Sequence, residues 1–278
     1  MKRFEIPAKT FLLGEYAVLD GGKALVALTQ PSFVLEAGGE ECPLPFHPAS
    51  PAGKLFQVMP GQKRQNIRWE NPWTDRGGFG ASSAEFVGMF LAHESTIEDP
   101  RELAWNAWKI FRLMTAQMRN RPSGADVLAQ AWGAAGKISS PAILALDLGA
   151  HTLEPAAPSR LGLKIELFHT GEKLPTHEHL SGELSPFPTE EANGLVGRAI
   201  QALAAGDGRG FVEAVRDYGA LLERTERVAP HTEKILRRLR LRKEVLAAKG
   251  CGAMGSDVVF AVSESGSGEP EAVAAWDI

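Results

Sequence analysis

The stretch Arg76-Gly77-Gly78-Phe79-Gly80-Ala81-Ser82-Ser83-Ala84-Glu85-Phe86 holds the residue types best suited to gripping an anion. Small residues let backbone amides come close to a ligand. The apolar spacing that follows predicts a helix, whose unpaired N–H groups and positive dipole end face the same spot. Such a cradle suits a polyphosphate, with serine hydroxyls able to ligate its Mg²⁺. A tight turn with a serine N-cap explains the same residues. The stretch is not a Walker A loop, since no Gly-Lys-Ser/Thr ends it. Nor is it a dinucleotide Gly-x-Gly-x-x-Gly, which Ser83 spoils.

Three further clusters carry chemistry. In Pro122-Ser123-Gly124-Ala125-Asp126, Ser123 and Asp126 are three apart at a helix start, the spacing of a capping box. The same Asp126 has the chemistry of a general base, or of the charge that orients an attacking hydroxyl. Ala248-Lys249-Gly250-Cys251-Gly252-Ala253-Met254-Gly255-Ser256-Asp257 reads as a glycine-rich loop between a helix and a strand. Lys9 lies within an apolar run (Phe4, Ile6, Phe11, Leu12, Leu13), where a lysine is costly unless its charge is used, and Gly14-Glu15-Tyr16 follows it. Weaker signals read as solvated surface. His177 and His179 are two apart in a Pro-flanked loop with no third ligand evident. Lys234, Arg237, Arg238, Arg240, Arg242 and Lys243 form a wet helix face, or attract an anionic substrate.

Periodicity supplies the elements that must hold these clusters. Strands are expected at Phe11–Leu13 and Leu25–Leu28, with a hairpin at Asp20-Gly21-Gly22. From Gly38 to Arg76, short strands and loops are expected. Helices are expected from Ser83 to about Glu94, and from Asp99 (N-cap) and Pro100 (first position), with Glu102 at the capping-box site. In the second of these, Ala104, Ala107, Trp108, Phe111, Met114 and Met118 form a core-facing stripe. A shorter helix is expected from Ser123 to about Trp132-Gly133. Strands at Ala142–Leu148 and Leu161–Phe168 flank a Pro- and Ala-rich connector, Glu154–Arg160, which marks the expected domain boundary. Two or three helices between Glu191 and Lys249 precede strands at Val258–Val262 and Ala272–Trp276. This mixed order suggests α+β layers, not a doubly wound parallel sheet.

The 278 residues suffice for roughly two domains. Hydrophobic residues at 44% and charged residues at 23% exclude wholesale disorder. A net charge of −4 gives no general field for nucleic acid. Two distant cysteines, Cys42 and Cys251, suggest a reducing compartment, and their pairing is not something sequence establishes. No apolar run approaches a membrane span, and no signal-peptide core is evident, so a cytoplasmic location is expected.

In order along the chain, these clusters resemble the GHMP kinase superfamily of galactokinase, homoserine kinase, mevalonate kinase and phosphomevalonate kinase. The likeness spans Ile6 to Val262. Ile6-Pro7-Ala8-Lys9 through Gly14-Glu15-Tyr16-Ala17-Val18-Leu19 is similar to the first motif in its phosphomevalonate kinase form. Gly78 to Ala84 is similar to the Gly-Leu-Gly-Ser-Ser-Ala phosphate loop, and Ala248 to Asp257 to the third motif. Pro122 to Asp126 and Trp132-Gly133 are closer to mevalonate kinases. Ala8, Ala81, Met254 and Ser256 depart from the family pattern. Met254 matters most, because a bulky side chain there would either narrow the acceptor pocket or block an approach of backbone to substrate.

The resemblance implies an N-terminal ribosomal-S5-like domain (1–153) and a C-terminal ferredoxin-like domain (154–278), with the active site between them. It implies ATP held by Gly78, Gly80, Ala81, Ser82 and Ser83, and Mg²⁺ on Ser82, or on Ser83 with a one-residue shift. Asp126 and Lys9 would be catalytic, Lys9 helping to keep Asp126 ionised. Glu15, Tyr16, Ser123, Gly124, Gly252 and Ala253 would meet a small-molecule acceptor. That acceptor is expected to be phosphomevalonate, then mevalonate, with a sugar or homoserine behind. The assembly expected is a monomer or homodimer without nucleic-acid or membrane partners. The rival expectation is a nucleotide- or metabolite-binding protein of this fold that lacks catalysis.

Overall fold

Apolar runs near the start of the chain build two long strands, β1 (Lys2–Leu13) and β2 (Lys23–Ala37), each buried over several consecutive residues. A computed structural model of the chain describes residues 1–38, 43–58, 66–74, 76–94, 97–139, 141–156, 160–171, 186–266 and 271–278. It divides into two compact units. One comprises Met1–Lys9, Leu28–Asp75 and Phe79–Pro141; the other comprises Thr10–Ala27, Arg76–Gly78 and Ala142–Ile278. The link from β1 to β2 is longer than the expected tight hairpin. It contains a 3-10 turn, Ala17–Asp20, closed by Gly21 at φ 80°. Its backbone bonds, Gly22 N–H to Ala17 O at 2.9 Å among them, make a short helical turn the better use of these residues.

In the first unit, Gly38 to Arg76 contains a helix that the expected strands and loops omitted. This is α1 (Pro51–Val58), opened by Ser50, whose hydroxyl accepts the Gly53 N–H at 3.1 Å. Strand β3 (Ile67–Glu70) pairs antiparallel with β2, from Val34↔Glu70 to Ala37↔Ile67. Helix α2 (Ala81–His93) is buried almost all round. Helix α3 (Pro100–Met114) is amphipathic and begins as its sequence predicts, with the Asp99 carboxylate accepting the Glu102 N–H at 2.7 Å. Of the expected stripe, Ala104, Ala107 and Phe111 are buried, together with Leu103, whereas Trp108 and Met114 are half-buried and Met118 lies beyond the end of the helix. Helix α4 (Ala125–Ala135) starts two residues later than expected, because Gly124 at φ 76° cannot be helical and caps it instead.

In the second unit, β4 (Ala142–Asp147) and β5 (Thr152–Pro155) form an antiparallel pair. Strand β6 (Leu163–His169) is followed by α5 (Thr189–Ala205), α6 (Gly208–Arg224) and α7 (Pro230–Arg240). Then come β7 (Val245–Cys251), β8 (Val258–Glu264) and β9 (Ala274–Asp277). Strand β7 corrects the sequence reading, which ran helix as far as Lys249 and took Ala248–Asp257 as loop throughout. The basic residues continue past Arg240, but the helix does not; Ala248, Gly250 and Cys251 pair with β8 opposite Ala261, Val259 and Val258. The two sheets have the orders β1-β2-β4-β5, with β3 also on β2, and β7-β8-β6-β9. Phe168, Leu236, Leu239, Ala248, Val259 and Ala261 seat α7 on the second sheet. The architecture is mixed α+β. Among the described residues, no helix is long and apolar enough to cross a membrane.

Candidate functional site

The expected phosphate loop is built around Gly80, the N-cap of α2, at φ 82°. A Cβ there would lie 2.8 Å from Lys9 Cγ, 2.9 Å from Lys9 Cε and 3.1 Å from Gln130 Nε2. The Lys9 stem therefore lies directly on the glycine, and only a residue without a side chain admits both. Lys9 N–H donates to Phe79 O at 3.0 Å. The Gln130 amide of α4, fully buried, donates to Pro7 O at 2.9 Å and to Gly80 O at 3.2 Å. Beneath the loop the Phe79 ring stacks on Trp73 at 4.0 Å, and the Trp73 indole N–H donates to Pro31 O at 2.9 Å. Ser83 is buried and its hydroxyl donates to Gly80 O at 3.0 Å, whereas Ser82 is exposed.

Asp126 stands one helical turn before Gln130, so the two side chains share a face of α4. It is half-buried in the first turn, its Oδ1 accepting the Val127 N–H at 3.0 Å. The expected capping box does not form: Gly124 is the cap, and the Ser123 hydroxyl accepts the Ala125 N–H at 3.3 Å. Helix α3 holds this entrance. The Trp108 indole N–H donates to Ser123 O at 2.8 Å and the Arg112 guanidinium to Pro122 O at 2.6 Å. A Cβ on Gly124 would meet Trp108 Cδ1 at 2.9 Å. The first unit thus brings Lys9, Gly80 to Ser83, Ser123, Gly124 and Asp126 onto elements tied together by Gln130.

The second unit gathers Glu15, Tyr16, Gly252 and Ala253 around the turn after β7. Lys249 on β7 is buried and pairs with the Glu15 carboxylate at 2.7 Å. The Met254 N–H donates to the Tyr16 hydroxyl at 2.7 Å, and Met254 itself is left-handed at φ 55°. Burial, partly offset by that Met254 bond, pushes the Tyr16 phenol up to about 12. Arg227 lies over the Tyr16 and Phe187 rings at 5.3 and 5.0 Å. Gly77 and Gly78 of the Arg76–Gly78 segment are close to Asp257: a Cβ at Gly77 would lie 2.7 Å from Asp257 Oδ1, and one at Gly78 3.0 Å from its Cβ. The Gly77 N–H donates to His169 Nε2 at 3.1 Å. Burial, with Arg76 adding to it, lowers the His169 pKa.

Sequence reasoning missed Gln130, Lys249, Arg227 and His169. Gln130 was findable as the polar residue one turn past Asp126 in an otherwise apolar helix. Among the described residues no group of three or more His, Cys, Asp or Glu is arranged to hold a metal. His177, Glu178, His179 and Cys42 lie outside the described residues. Cys251 is a free, buried thiol. The basic run of α7 reads as a solvated face. Arg237 pairs with Glu233 at 3.2 Å, Arg238 with Glu271 at 2.7 Å, and Arg240 with Glu223.

No protein-family profile matches the chain, and no curated protein matches it in sequence. Solved structures match it along its length. The phosphomevalonate kinase of Streptococcus pneumoniae, in complex with phosphomevalonate and AMPPNP, aligns at TM-score 0.73 and 16% identity over 100% of both chains. The L. major mevalonate kinase with R-mevalonate aligns at TM-score 0.64 and 17% identity, over 100% of this chain and 95% of that one. The Lactococcus lactis galactokinase complexed with galactose gives TM-score 0.71 and 12% identity, over 95% and 85%. At such identities the likeness is one of fold: the chain has the fold of the GHMP kinases.

Proposed function

We propose that this chain is an ATP-dependent phosphotransferase for a small acceptor of the mevalonate route to isoprenoids, phosphomevalonate first and mevalonate second. The observation that carries the reading is the contact of the Lys9 stem with Gly80, with the Gln130 amide bonded to Gly80 O. A lysine, a glycine cradle and the helix bearing an aspartate are thereby joined without the help of any ligand. The residues fit a nucleotide polyphosphate. The first turn of α2 offers backbone N–H groups, and its N-cap, Gly80 at φ 82°, carries no side chain to cover them.

When bound, ATP supplies the γ-phosphoryl group. Gly78, Gly80, Ala81 and Ser83 would hold its phosphates through backbone amides. Ser82, exposed on the first turn, would ligate Mg²⁺, an ion commonly held by few protein oxygens and the substrate's phosphates. Asp126 would accept or orient the proton of the acceptor hydroxyl. Lys9 would offset negative charge beside it, a division of labour suited to phosphoryl transfer, where positioning and charge outweigh covalent chemistry. Tyr16, Ser123, Gly124, Gly252 and Ala253 are the residues we assign to the acceptor, with Glu15, whose carboxylate is buried on Lys249, serving through its neighbour Tyr16, in a soluble, cytoplasmic monomer or homodimer.

The test is a coupled ADP-release assay against phosphomevalonate, mevalonate, homoserine and galactose. Turnover of phosphomevalonate above the others is expected. Intact ATP binding with no turnover of any acceptor would instead support a binding protein of the same fold.

A further inference from the structure

An ammonium taken out of water must be compensated by charge and hydrogen bonds. Lys249 is 1% exposed. Its Nζ donates to the Glu15 carboxylate at 2.7 Å, to Leu12 O at 2.9 Å and to Cys251 Sγ at 3.6 Å, and lies 5.5 Å from the centre of the Tyr218 ring. Burial draws the ammonium toward its neutral form, but Cys251 and Glu15 outweigh that, and its pKa is raised. Burial also pushes the Cys251 thiol up to about 11, so at neutral pH it is uncharged and the Glu15 carboxylate carries the compensation. These groups all belong to one compact unit.

One residue beyond Glu15, the Tyr16 ring packs on Phe187 at 5.2 Å, and its hydroxyl takes the Met254 N–H. Met254 needs such a partner. A left-handed backbone is strained for a bulky side chain and persists only where its surroundings hold it.

We propose that Lys249 is a positioning residue: by anchoring Glu15 and Leu12 it fixes Tyr16, whose hydroxyl holds Met254 and so sets the shape of the turn from Gly252 to Asp257. This rests on reading that turn as the acceptor-facing loop of the kinase proposed above. Lys249 itself touches no substrate. An apolar pair of the same volume would fill the space, but only the ammonium binds the chain on both sides of Gly14 at defined distances.

Lys249→Met alone strands a buried carboxylate and is expected to destabilise the fold. The informative variant is therefore Lys249→Met/Glu15→Gln, which removes both charges. Its Met254 amide is expected to lose hydrogen-exchange protection by roughly tenfold or more, read by NMR on the full chain. Its KM for phosphomevalonate is expected to rise roughly 10- to 10²-fold, with KM for ATP within about twofold of the parent. Parental Met254 protection and an unchanged acceptor KM would overturn the positioning role and leave the pair as packing. If the parent turns over no acceptor, the kinase reading fails, while Met254 exchange still decides whether Lys249 shapes the loop. Should the double variant not fold, Lys249→Arg keeps the charge and shifts its donors. Partial loss of Met254 protection supports the proposal there, and parental protection overturns it.

Discussion

Asp126 occupies the first turn of α4, where unpaired N–H groups and the helix dipole favour negative charge. Asp126→Asn keeps the shape and the Oδ1 acceptor but removes the basic oxygen. On the kinase reading kcat falls roughly 10²- to 10⁴-fold while ATP affinity is nearly unchanged. Steady-state ADP release and calorimetric nucleotide titration measure the two effects. An Asn variant with parental kcat would leave Asp126 as no more than a helix-start residue. Gly80 offers a second test with an internal control. Alanine at either Gly80 or Gly21, both near φ 80°, costs roughly 1–2 kcal/mol of backbone strain. A Cβ at Gly21 meets nothing within 4 Å, whereas one at Gly80 presses on Lys9 and Gln130. Gly80→Ala should thus lose more stability in urea than Gly21→Ala, and lose nucleotide affinity by about tenfold or more as well. Equal effects of the two substitutions on nucleotide binding would refute the role given to the Lys9–Gly80 contact.

At the scale of elements, α3 braces the entrance to α4 through Trp108 and Arg112. Asp99→Ala removes its side-chain cap and should cost about 1 kcal/mol of stability by urea denaturation, leaving kcat unchanged on the kinase reading. Trp108→Phe keeps an aromatic ring but deprives Ser123 O of its donor, and should cost roughly 1–3 kcal/mol. On the kinase reading kcat should fall with it, because the Pro122 to Gly124 turn then keeps only the Arg112 bond to Pro122 O. A Trp108→Phe variant with parental stability and, on the kinase reading, parental kcat would show that the Trp108 bond to Ser123 O is mere packing. The start of α3 was legible in the sequence because Asp99, Pro100 and Glu102 act on their own neighbours. Helix α1 was equally local in its signal, Ser50 then Pro51, and was passed over among the surrounding prolines and glycines. The late start of α4 was not legible. It depends on the fit of Gly124 against Trp108, a side chain from another helix. Strand β7 was obscured by the basic run before it. Its buried Lys249 makes sense only beside Glu15, which lies 234 residues away.

For the molecule as a whole, buried ionisable groups define a pH window of stability. Burial, only partly offset by Glu94, holds His93 below an ordinary histidine, and burial with Arg76 does the same to His169. Their unfolded forms therefore take up protons first, and stability drops as pH falls below about 6.5, levelling off once the folded forms protonate too. On the alkaline side the sign reverses. Cys251 is raised by burial from 9.0 to about 11 and Tyr16 from 10.0 to about 12, and Lys249 is also raised, by Cys251 and Glu15 against its burial. Their protonated forms belong to the native state. Stability is fully present below about pH 9, where the unfolded thiol begins to ionise, and is lost as pH rises toward 11 and beyond. Urea denaturation should accordingly give a plateau near pH 7 to 8.5 with a fall on each side. Cys251 alone accounts for a loss on the order of 2 kcal/mol between pH 9 and 11. Cys251→Ala should delay the onset of the alkaline fall toward pH 10 while leaving the acid limb unchanged. A parent whose stability holds level from pH 9 to 11, or an alanine variant that loses stability along the same curve as the parent, would contradict the burial of a neutral thiol beside the Lys249–Glu15 pair.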